Sequence, residues 1–206
     1  MKITRIIGID AGLTGGIAIL KRESTESRVW TAQACPMPVR FIQGPPRRGA
    51  PRKKYHDYEI AAIHYMLRGV MSAAASAGGE TRVCLEKVTA MPSRPDPNNP
   101  AKFFRGSIGT AKLMMGYGIL MGIVRCTFPE KWLIEVHQSS WQAKVLGALS
   151  SRNGMGTKES AINCCRILYP EVSLLATPKS RNDHEGMADA LMIAEFARRK
   201  LYEEEG

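Results

Sequence analysis

The chain has 206 residues, of which 44% are hydrophobic and 23% are charged. These values are ordinary for a globular protein and predict a single domain, residues 1–206, with a core large enough to need no disulfide or metal staple. Lysine and arginine number 29 against 19 aspartate and glutamate, so the net charge is +10. Such a surface favours a polyanionic partner, with nucleic acid first and an anionic membrane surface second.

A membrane-spanning segment is not expected. The longest apolar candidate, residues 113–124, is shorter than the roughly 20 residues that a span needs. The first apolar run is broken by Asp10 and glycines and therefore lacks the pattern of a signal peptide. The five cysteines show no C-x-x-C spacing, which favours reduced structural thiols. The sequence thus predicts a cytoplasmic protein with no membrane contact.

Three strands are predicted at the start of the chain. They cover residues 3–10, 15–23 and 28–38 and are separated by turn residues, which indicates an antiparallel meander. Residues 36–57 are rich in proline, glycine, arginine and lysine and predict a loop.

Helices and strands alternate after this loop. Residues 58–77 have helical periodicity, with Asp57 as a candidate N-cap. The short apolar run 81–88 predicts a central strand that carries Glu86, and residues 107–125 predict an apolar helix punctuated by glycine.

The last third of the chain predicts one strand and three helices. The strand covers 132–141, and the helices cover 139–147, 157–170 and roughly 184–203. Three strands followed by alternating helices and strands predict one α/β domain with a mixed sheet flanked by helices.

Two carboxylates lie in the predicted strands. Asp10 ends the first strand, before a glycine-rich turn, where it either hydrogen-bonds its own backbone or marks a turn that a phosphate approaches closely. Glu86 falls within a central-strand pattern, where an unpaired buried carboxylate is costly. The alternative is that Glu86 lies on the solvent-exposed face of an edge strand.

Three more carboxylates open the last helix. Glu185 and Asp189 are four residues apart and share one helix face, where like charges raise each other's pKa. A divalent cation between them would remove that penalty. The alternative is the general preference of acidic residues for a helix N-terminus, which explains Asp183 and Glu185 well and Asp189 poorly.

The order of these features resembles that of the RuvC-type Holliday junction resolvases of the RNase H-like superfamily, in particular the phage-type and chloroplast-type branch. The stretches that carry the resemblance span nearly the whole chain: IIGIDAGLTGGIAIL, VCLEKV, FFRGSIGTAKLMMGYGIL, WLIEVHQSSWQ, TKESAINCCRILYP and DHEGMADALMIAEFARR. The resemblance implies an RNase H-like α/β fold with a mixed five-stranded sheet flanked by helices. It also implies a homodimeric, Mg²⁺-dependent endonuclease that makes paired nicks in four-way DNA junctions. Mn²⁺ is an expected substitute, and no small-molecule cofactor is expected.

The resemblance assigns roles to individual residues. By motif, Asp10, Glu86 and Asp189 are metal-binding carboxylates, and Lys158 matches a lysine close to the scissile phosphate. Two divalent ions roughly 4 Å apart can activate water and stabilise the leaving oxygen without a protein nucleophile. Oxygen ligands are those that Mg²⁺ prefers.

The fourth metal ligand departs from the family pattern. The phage-type motif has His-Asp-Gly, whereas residues 184–186 of this chain are His-Glu-Gly. Glu185 keeps a carboxylate with one more methylene, and Asp183 is the alternative ligand. The helical spacing to Asp189 favours Glu185.

Basic and aromatic residues predict a DNA-binding surface. Residues 47–54 form the densest basic run. This run either contacts the DNA backbone or is a loop face exposed to solvent. A phenylalanine pair further along either packs in the core or stacks on bases at the junction centre. The predicted DNA-binding residues are Arg47, Arg48, Arg52, Lys53, Lys54, Lys87, Lys102, Phe103, Phe104, Arg105 and Lys112.

Two further features bear on packing and assembly. Trp141 opens a helix after a strand and is predicted to lie in the core. The glycines of the helix over 107–125 permit close backbone approach, either to the chain's own sheet or to a second subunit. A two-fold dimer would suit a four-way junction, which has two-fold symmetry itself.

Other functions compete with the resolvase interpretation. A nuclease acting on RNA–DNA hybrids or flaps would share the carboxylate chemistry. A sugar-kinase-like or actin-like ATPase would need a second glycine-rich phosphate motif, which the chain lacks. A non-catalytic DNA-binding module would not need the intact carboxylate set.

Overall fold

The structure is a computed structural model. It describes residues 3–24, 26–45, 51–52, 54–90, 95–96, 99–103, 107–147 and 157–203, with backbone only for 95–96, 99–103, 107–108 and 157–158. Within these ranges, no helix combines the length and apolar character that crossing a bilayer requires.

Nine strands and five α-helices follow one another along the described chain. The strands are β1 Ile3–Ile9, β2 Gly16–Lys21, β3 Thr31–Pro36, β4 Val39–Gln43, β5 Lys54–Tyr58, β6 Glu80–Lys87, β7 Pro95–Asp96, β8 Asn99–Phe103 and β9 Leu133–His137. The helices are α1 Ile60–Ser76, α2 Ser107–Thr127, α3 Gln138–Trp141, α4 Thr157–Leu168 and α5 Glu185–Glu203, with a 3₁₀ turn at Glu130–Trp132 and a π-helical turn at Gln142–Leu146.

The central sheet has five strands in the order β3-β2-β1-β6-β9. The pairs β1–β2 and β2–β3 are antiparallel, whereas β1–β6 and β6–β9 are parallel. The predicted mixed five-stranded sheet with an N-terminal meander is therefore confirmed. Strand β6 lies between β1 and β9, so Glu86 belongs to an interior strand and the edge-strand alternative is wrong.

Helices cover both faces of the sheet. In β1, Ile6 belongs to the buried cluster that includes α4 and α5. Its neighbours Ile7 and Ile9 belong to the cluster that includes α1 and α2. The period of two along a strand thus sends alternate side chains to opposite helical layers.

Helix α5 packs unusually close to β1 and β2, because glycines remove side chains at the contact. A Cβ atom on Gly8 would lie 2.1 Å from the carbonyl oxygen of Ala190. A Cβ atom on Gly16 would lie 2.6 Å from the carbonyl oxygen of Gly186. A Cβ atom on Gly15 would lie 2.2 Å from the carbonyl oxygen of Asp10, so the backbone of the turn itself and the α5 contact at Gly16 both require glycine here. A phosphate at this turn stays a prediction.

The predicted loop over 36–57 contains an antiparallel hairpin, β4–β5. Its register runs from Val39 opposite Tyr58 to Gln43 opposite Lys54. The segment between the two strands is rich in proline, glycine and arginine. The composition of residues 36–57 therefore predicted a loop, although they contain two five-residue strands. Asp57 lies in β5 and accepts a hydrogen bond from the backbone of Tyr58 at 2.9 Å, so its prediction as the N-cap of α1 is wrong.

Candidate active site

Asp10 and Glu86 lie at the ends of neighbouring parallel strands, at the same edge of the sheet. Ile9, the last residue of β1, is paired with Leu85, so Asp10 directly follows β1 beside Glu86 of β6. Ile9 and Leu85 both point into the layer of α1 and α2. Strand alternation therefore directs Asp10 and Glu86 to the opposite face, which α5 covers.

Helix α5 brings a third carboxylate to this edge. The backbone of α5 packs against Gly8 of β1 at Ala190, and Asp189 directly precedes Ala190 in the helix. Asp10, Glu86 and Asp189 are all partly buried. The charges of Glu86 and Asp189 both act on Asp10, so three of the four predicted metal ligands interact.

The electrostatics of Asp10 reflect this crowding. Burial, the charges of Glu86 and Asp189 and a hydrogen bond with Glu86 together raise the pKa of Asp10 to about 8, and burial is the largest of these causes. A carboxyl group with this pKa carries its proton at neutral pH unless a positive charge displaces it.

Trp141 holds Glu86 in place. Its indole N–H donates a hydrogen bond to Glu86 Oε1, with an N···O distance of 3.2 Å, and the side chain is fully buried. Trp141 is in the core, as the sequence predicts, but its contact with Glu86 was missed. The register of β9, which the sequence does not give, is what would have indicated this contact. Because Val136 lies opposite Glu86, α3, which directly follows β9, starts beside this carboxylate.

Tyr58 borders the site from the hairpin and was also missed. It is buried, and burial together with the charges of Asp10 and Asp57 raises its pKa to about 12. The turn after Asp10 is joined to the hairpin by a hydrogen bond of 2.9 Å from the Met37 amide to the Gly15 carbonyl. The base of the hairpin is therefore fixed to the turn that carries Asp10.

The two candidates for the fourth carboxylate have different surroundings. Asp183 forms an ion pair with Arg166. Glu185 is exposed and begins α5, one turn before Asp189. The backbone N–H of Met187 donates to Nδ1 of His184 at 3.2 Å, so His184 caps the helix. Glu185, one helical turn before Asp189, stays the predicted fourth ligand.

The donor set suits a hard divalent cation by its chemistry. In the described part of the chain, no three His, Cys, Asp or Glu side chains already form a complete metal-binding group. Asp10 and Glu86 share a hydrogen bond instead. Mutual repulsion of carboxylates is the penalty that a bound cation removes, and Mg²⁺ takes oxygen ligands. Binding of such an ion would require Asp10 to release its proton and to give up its hydrogen bond with Glu86.

Some predicted DNA-binding residues gather at the hairpin. Arg52, Lys54 and Lys112 are exposed, and Lys112 Nζ lies 5.8 Å from the centre of the Tyr55 ring. Lys87 is exposed directly after Glu86.

The other predicted residues have no described side chain. Lys158 lies in α4, and Lys102 and Phe103 lie in β8, each with its backbone alone described. Outside the described residues lie Arg47, Arg48, Lys53, Phe104 and Arg105. Their roles stay predictions.

Comparison with known proteins defines the fold. No protein-family model and no curated protein matches the chain in sequence. RuvC of Thermus thermophilus, solved in complex with a Holliday junction substrate, is similar in structure, with a TM-score of 0.50 and 14% identity over 96% of each chain. A second Thermus thermophilus RuvC structure has 16% identity over 95% of this chain and 96% of that one, with a TM-score of 0.48. The protein has the RNase H-like fold of RuvC, and that part of the sequence prediction is confirmed.

Proposed function

We propose that the protein is a metal-dependent, structure-selective endodeoxyribonuclease that resolves four-way DNA junctions by paired nicks. The observation that carries this proposal is the convergence of Asp10, Glu86 and Asp189 where two parallel strands meet α5. The likeness in fold to a RuvC that was solved with a Holliday junction supports the substrate class.

The carboxylates would hold Mg²⁺, or Mn²⁺ in its place. Asp10, Glu86, Asp189 and Glu185 supply the oxygen ligands. When bound, two such ions provide an activated water and stabilise the leaving oxygen in phosphodiester hydrolysis. The chain itself releases the Asp10 proton, orients Glu86 through the Trp141 indole and fixes Asp189 through the close packing of α5.

The surface chemistry supports a DNA substrate. The net charge is +10, and Arg52, Lys54 and Lys112 are exposed toward the end of the hairpin that lies away from Tyr58. Contacts between such cations and phosphates dominate the affinity of DNA-binding proteins. Membership of the phage-type and chloroplast-type branch and a cytoplasmic location stay predictions.

A homodimer would provide the two active sites that paired nicks need. Gly116 is packed against Tyr58, but Gly118 and Gly122 face outward with Met115, and a Cβ atom on either glycine would meet nothing within 4 Å. This open face of α2 leaves room for a second copy, which supports the proposal that α2 contributes to a subunit interface.

The testing experiment compares cleavage of four labelled substrates in Mg²⁺: a four-way junction, a flap, a linear duplex and an RNA–DNA hybrid. We expect symmetric paired nicks in the junction. Asp10→Asn should abolish cleavage and leave junction binding largely intact, because Asp10 is assigned to metal rather than to DNA. Preferential cutting of the hybrid or the flap would keep the metal site and overturn the substrate.

Two further variants decide the fourth ligand in the same assay. We expect Glu185→Gln to lose cleavage and Asp183→Asn, the matched control, to retain it, because Asp183 is engaged by Arg166. The reverse result would assign Asp183 to the metal.

A further inference from the structure

The β4–β5 hairpin is an arm that lies outside the central sheet. Its two strands pair only with each other among the described strands. Beyond Val39 every residue of β4 is exposed, so neither face of this strand is covered. A two-stranded hairpin exposed on both faces adds little to stability by itself, and its retention needs another reason.

The exposed part of the arm carries an aromatic pair. Phe41 is 70% exposed and lies directly opposite His56. Their ring centres are 4.5 Å apart with an interplanar angle of 85°, an edge-to-face arrangement. Cross-strand pairing thus holds a flat apolar ring in solvent in one defined orientation.

The arm starts at the carboxylate site. Its base carries Tyr58, whose hydroxyl is influenced by the charge of Asp10. Hydrogen bonds of 2.9 Å join the Met37 amide to the Gly15 carbonyl and the Glu59 amide to the Pro38 carbonyl. The base of the arm therefore borders the carboxylate site, and Phe41 lies two residues further along β4.

Cations lie on both faces of the arm. Lys54 is two residues before His56, so strand alternation places it on the face of the aromatic pair, whereas Lys112 lies 5.8 Å from the ring of Tyr55 on the other face. Arg52 is exposed just before β5. Exposed aromatic rings among cations are the combination that binds unpaired nucleic acid, since bases stack on the rings and phosphates pair with the cations. Charge complementarity favours DNA over an apolar protein partner at this surface.

We propose that the Phe41–His56 pair stacks on bases that are unpaired at a DNA branch point and so discriminates branched from linear DNA. The inference rests on the proposed function and names the element that recognises the branch. It adds the hairpin to Phe103 and Phe104, whose stacking on bases stays a prediction.

The test measures binding in EDTA, where no cleavage occurs. The probes are a four-way junction with 2-aminopurine at the branch point and a linear duplex of the same sequence. We expect Phe41→Ala to weaken junction affinity at least about fivefold and to reduce the 2-aminopurine signal change, while duplex affinity stays within about twofold. Phe41→Trp should restore junction affinity. Tyr65→Ala, which removes another aromatic ring that is 75% exposed, is the matched control and should change neither affinity.

A second pair of variants separates stacking from charge. Arg52→Gln combined with Lys54→Gln should weaken binding of both probes and reduce its salt dependence. The slope of log affinity against log salt concentration should fall by up to about two units if each cation contacts a phosphate. Arg68→Gln combined with Lys131→Gln lowers the net charge equally at two exposed positions elsewhere. If the two pairs of substitutions had equal effects, the arm's cations would not be part of the DNA interface, and the proposal would be overturned.

The outcomes distinguish this inference from the proposed function. If the wild-type protein binds the junction no better than the duplex, both fail. If it prefers the junction and Phe41→Ala keeps that preference, the stacking inference alone is overturned. A parallel loss of both affinities in Phe41→Ala would also overturn it, because stacking on unpaired bases predicts a junction-specific loss.

Discussion

The carboxylate site and the β4–β5 hairpin are neighbours built in opposite ways. At the site, glycines let α5 lie directly on β1, and the buried indole of Trp141 holds Glu86. In the hairpin, two strands pair only with each other, and Phe41 is 70% exposed. Metal-assisted hydrolysis needs fixed ligand positions, whereas contact with a branched substrate needs accessible groups. The proposed function would therefore use a rigid part for the metal ligands and an accessible part for the substrate, on neighbouring elements of the fold.

The two regions also differ in charge. The site crowds carboxylates until the pKa of Asp10 rises to about 8, and the hairpin presents Arg52 and Lys54 to solvent. A phosphate is attracted by the arm and repelled by the site until cations are bound there. Tyr58 lies between these regions, and the charge of Asp10 adds to burial in raising its pKa.

The largest expected effect comes from separating α5 from the sheet. Gly8→Ala places a Cβ atom against the Ala190 carbonyl, so it should lower the free energy of unfolding by about 1–3 kcal/mol and greatly reduce cleavage by moving Asp189. Gly69→Ala in α1 is the control, because its Cβ would meet nothing within 4 Å and alanine has the higher helix propensity. Thermal unfolding and cleavage rates check both variants. Equal behaviour would contradict the rigid contact.

The next effect concerns the pH dependence of the metal-free protein. Because the pKa of Asp10 is raised from 3.8 to about 8, the folded state holds a proton that the unfolded state releases. This contribution to stability is present below about pH 4 and is lost as the pH rises toward 8. Thermal unfolding in EDTA from pH 5 to 8 should therefore show a steeper fall in Tm for the wild type than for Asp10→Asn.

A cation should reverse that loss. Addition of Mg²⁺ at pH 8 should raise the Tm of the wild-type protein and change that of Asp10→Asn less, because the ion replaces the proton among the carboxylates. Identical pH profiles of the two proteins in EDTA would contradict the assigned environment of Asp10.

Trp141→Phe tests the positioning of Glu86. Loss of the indole donor should weaken Mn²⁺ binding to the protein alone by roughly tenfold, as removal of groups that orient metal ligands commonly does. Excess metal should restore cleavage, which a general loss of structure would not allow. Trp132→Phe is the control, because the Trp132 indole N–H has no hydrogen-bond partner among the described residues. Equal Mn²⁺ affinities of the two variants would contradict the positioning role.

The smallest effect is expected in the hairpin. Arg40 and Asp57 form an exposed cross-strand ion pair at 3.6 Å. Arg40→Gln should change the free energy of unfolding by less than about 1 kcal/mol, because solvent screens such pairs. Calorimetry checks this, and a loss as large as that of Gly8→Ala would show that the arm is part of the core.

The fold could be predicted largely from local patterns. The runs that form β1, β2, β3, β6 and β9 have strand periodicity, and α1, α2, α4 and α5 have helical spacing or apolar runs. The carboxylates of the site stand out because each charge interrupts such a pattern. The hairpin could not be recognised, because its strands are short and exposed and so show no burial pattern.

The sequence by itself determined the order of the five strands of the central sheet and of the long helices, because hydrophobic periodicity is a property of neighbouring residues. It also singled out Asp10, Glu86 and Asp189 as charges within apolar patterns. Only the tertiary structure decided that Asp10 and Glu86 share one face, that Trp141 donates to Glu86, and that glycines bring α5 onto β1. The physical reason is that strand register, side-chain hydrogen bonds and the burial that raises the pKa of Asp10 arise between residues far apart in the chain.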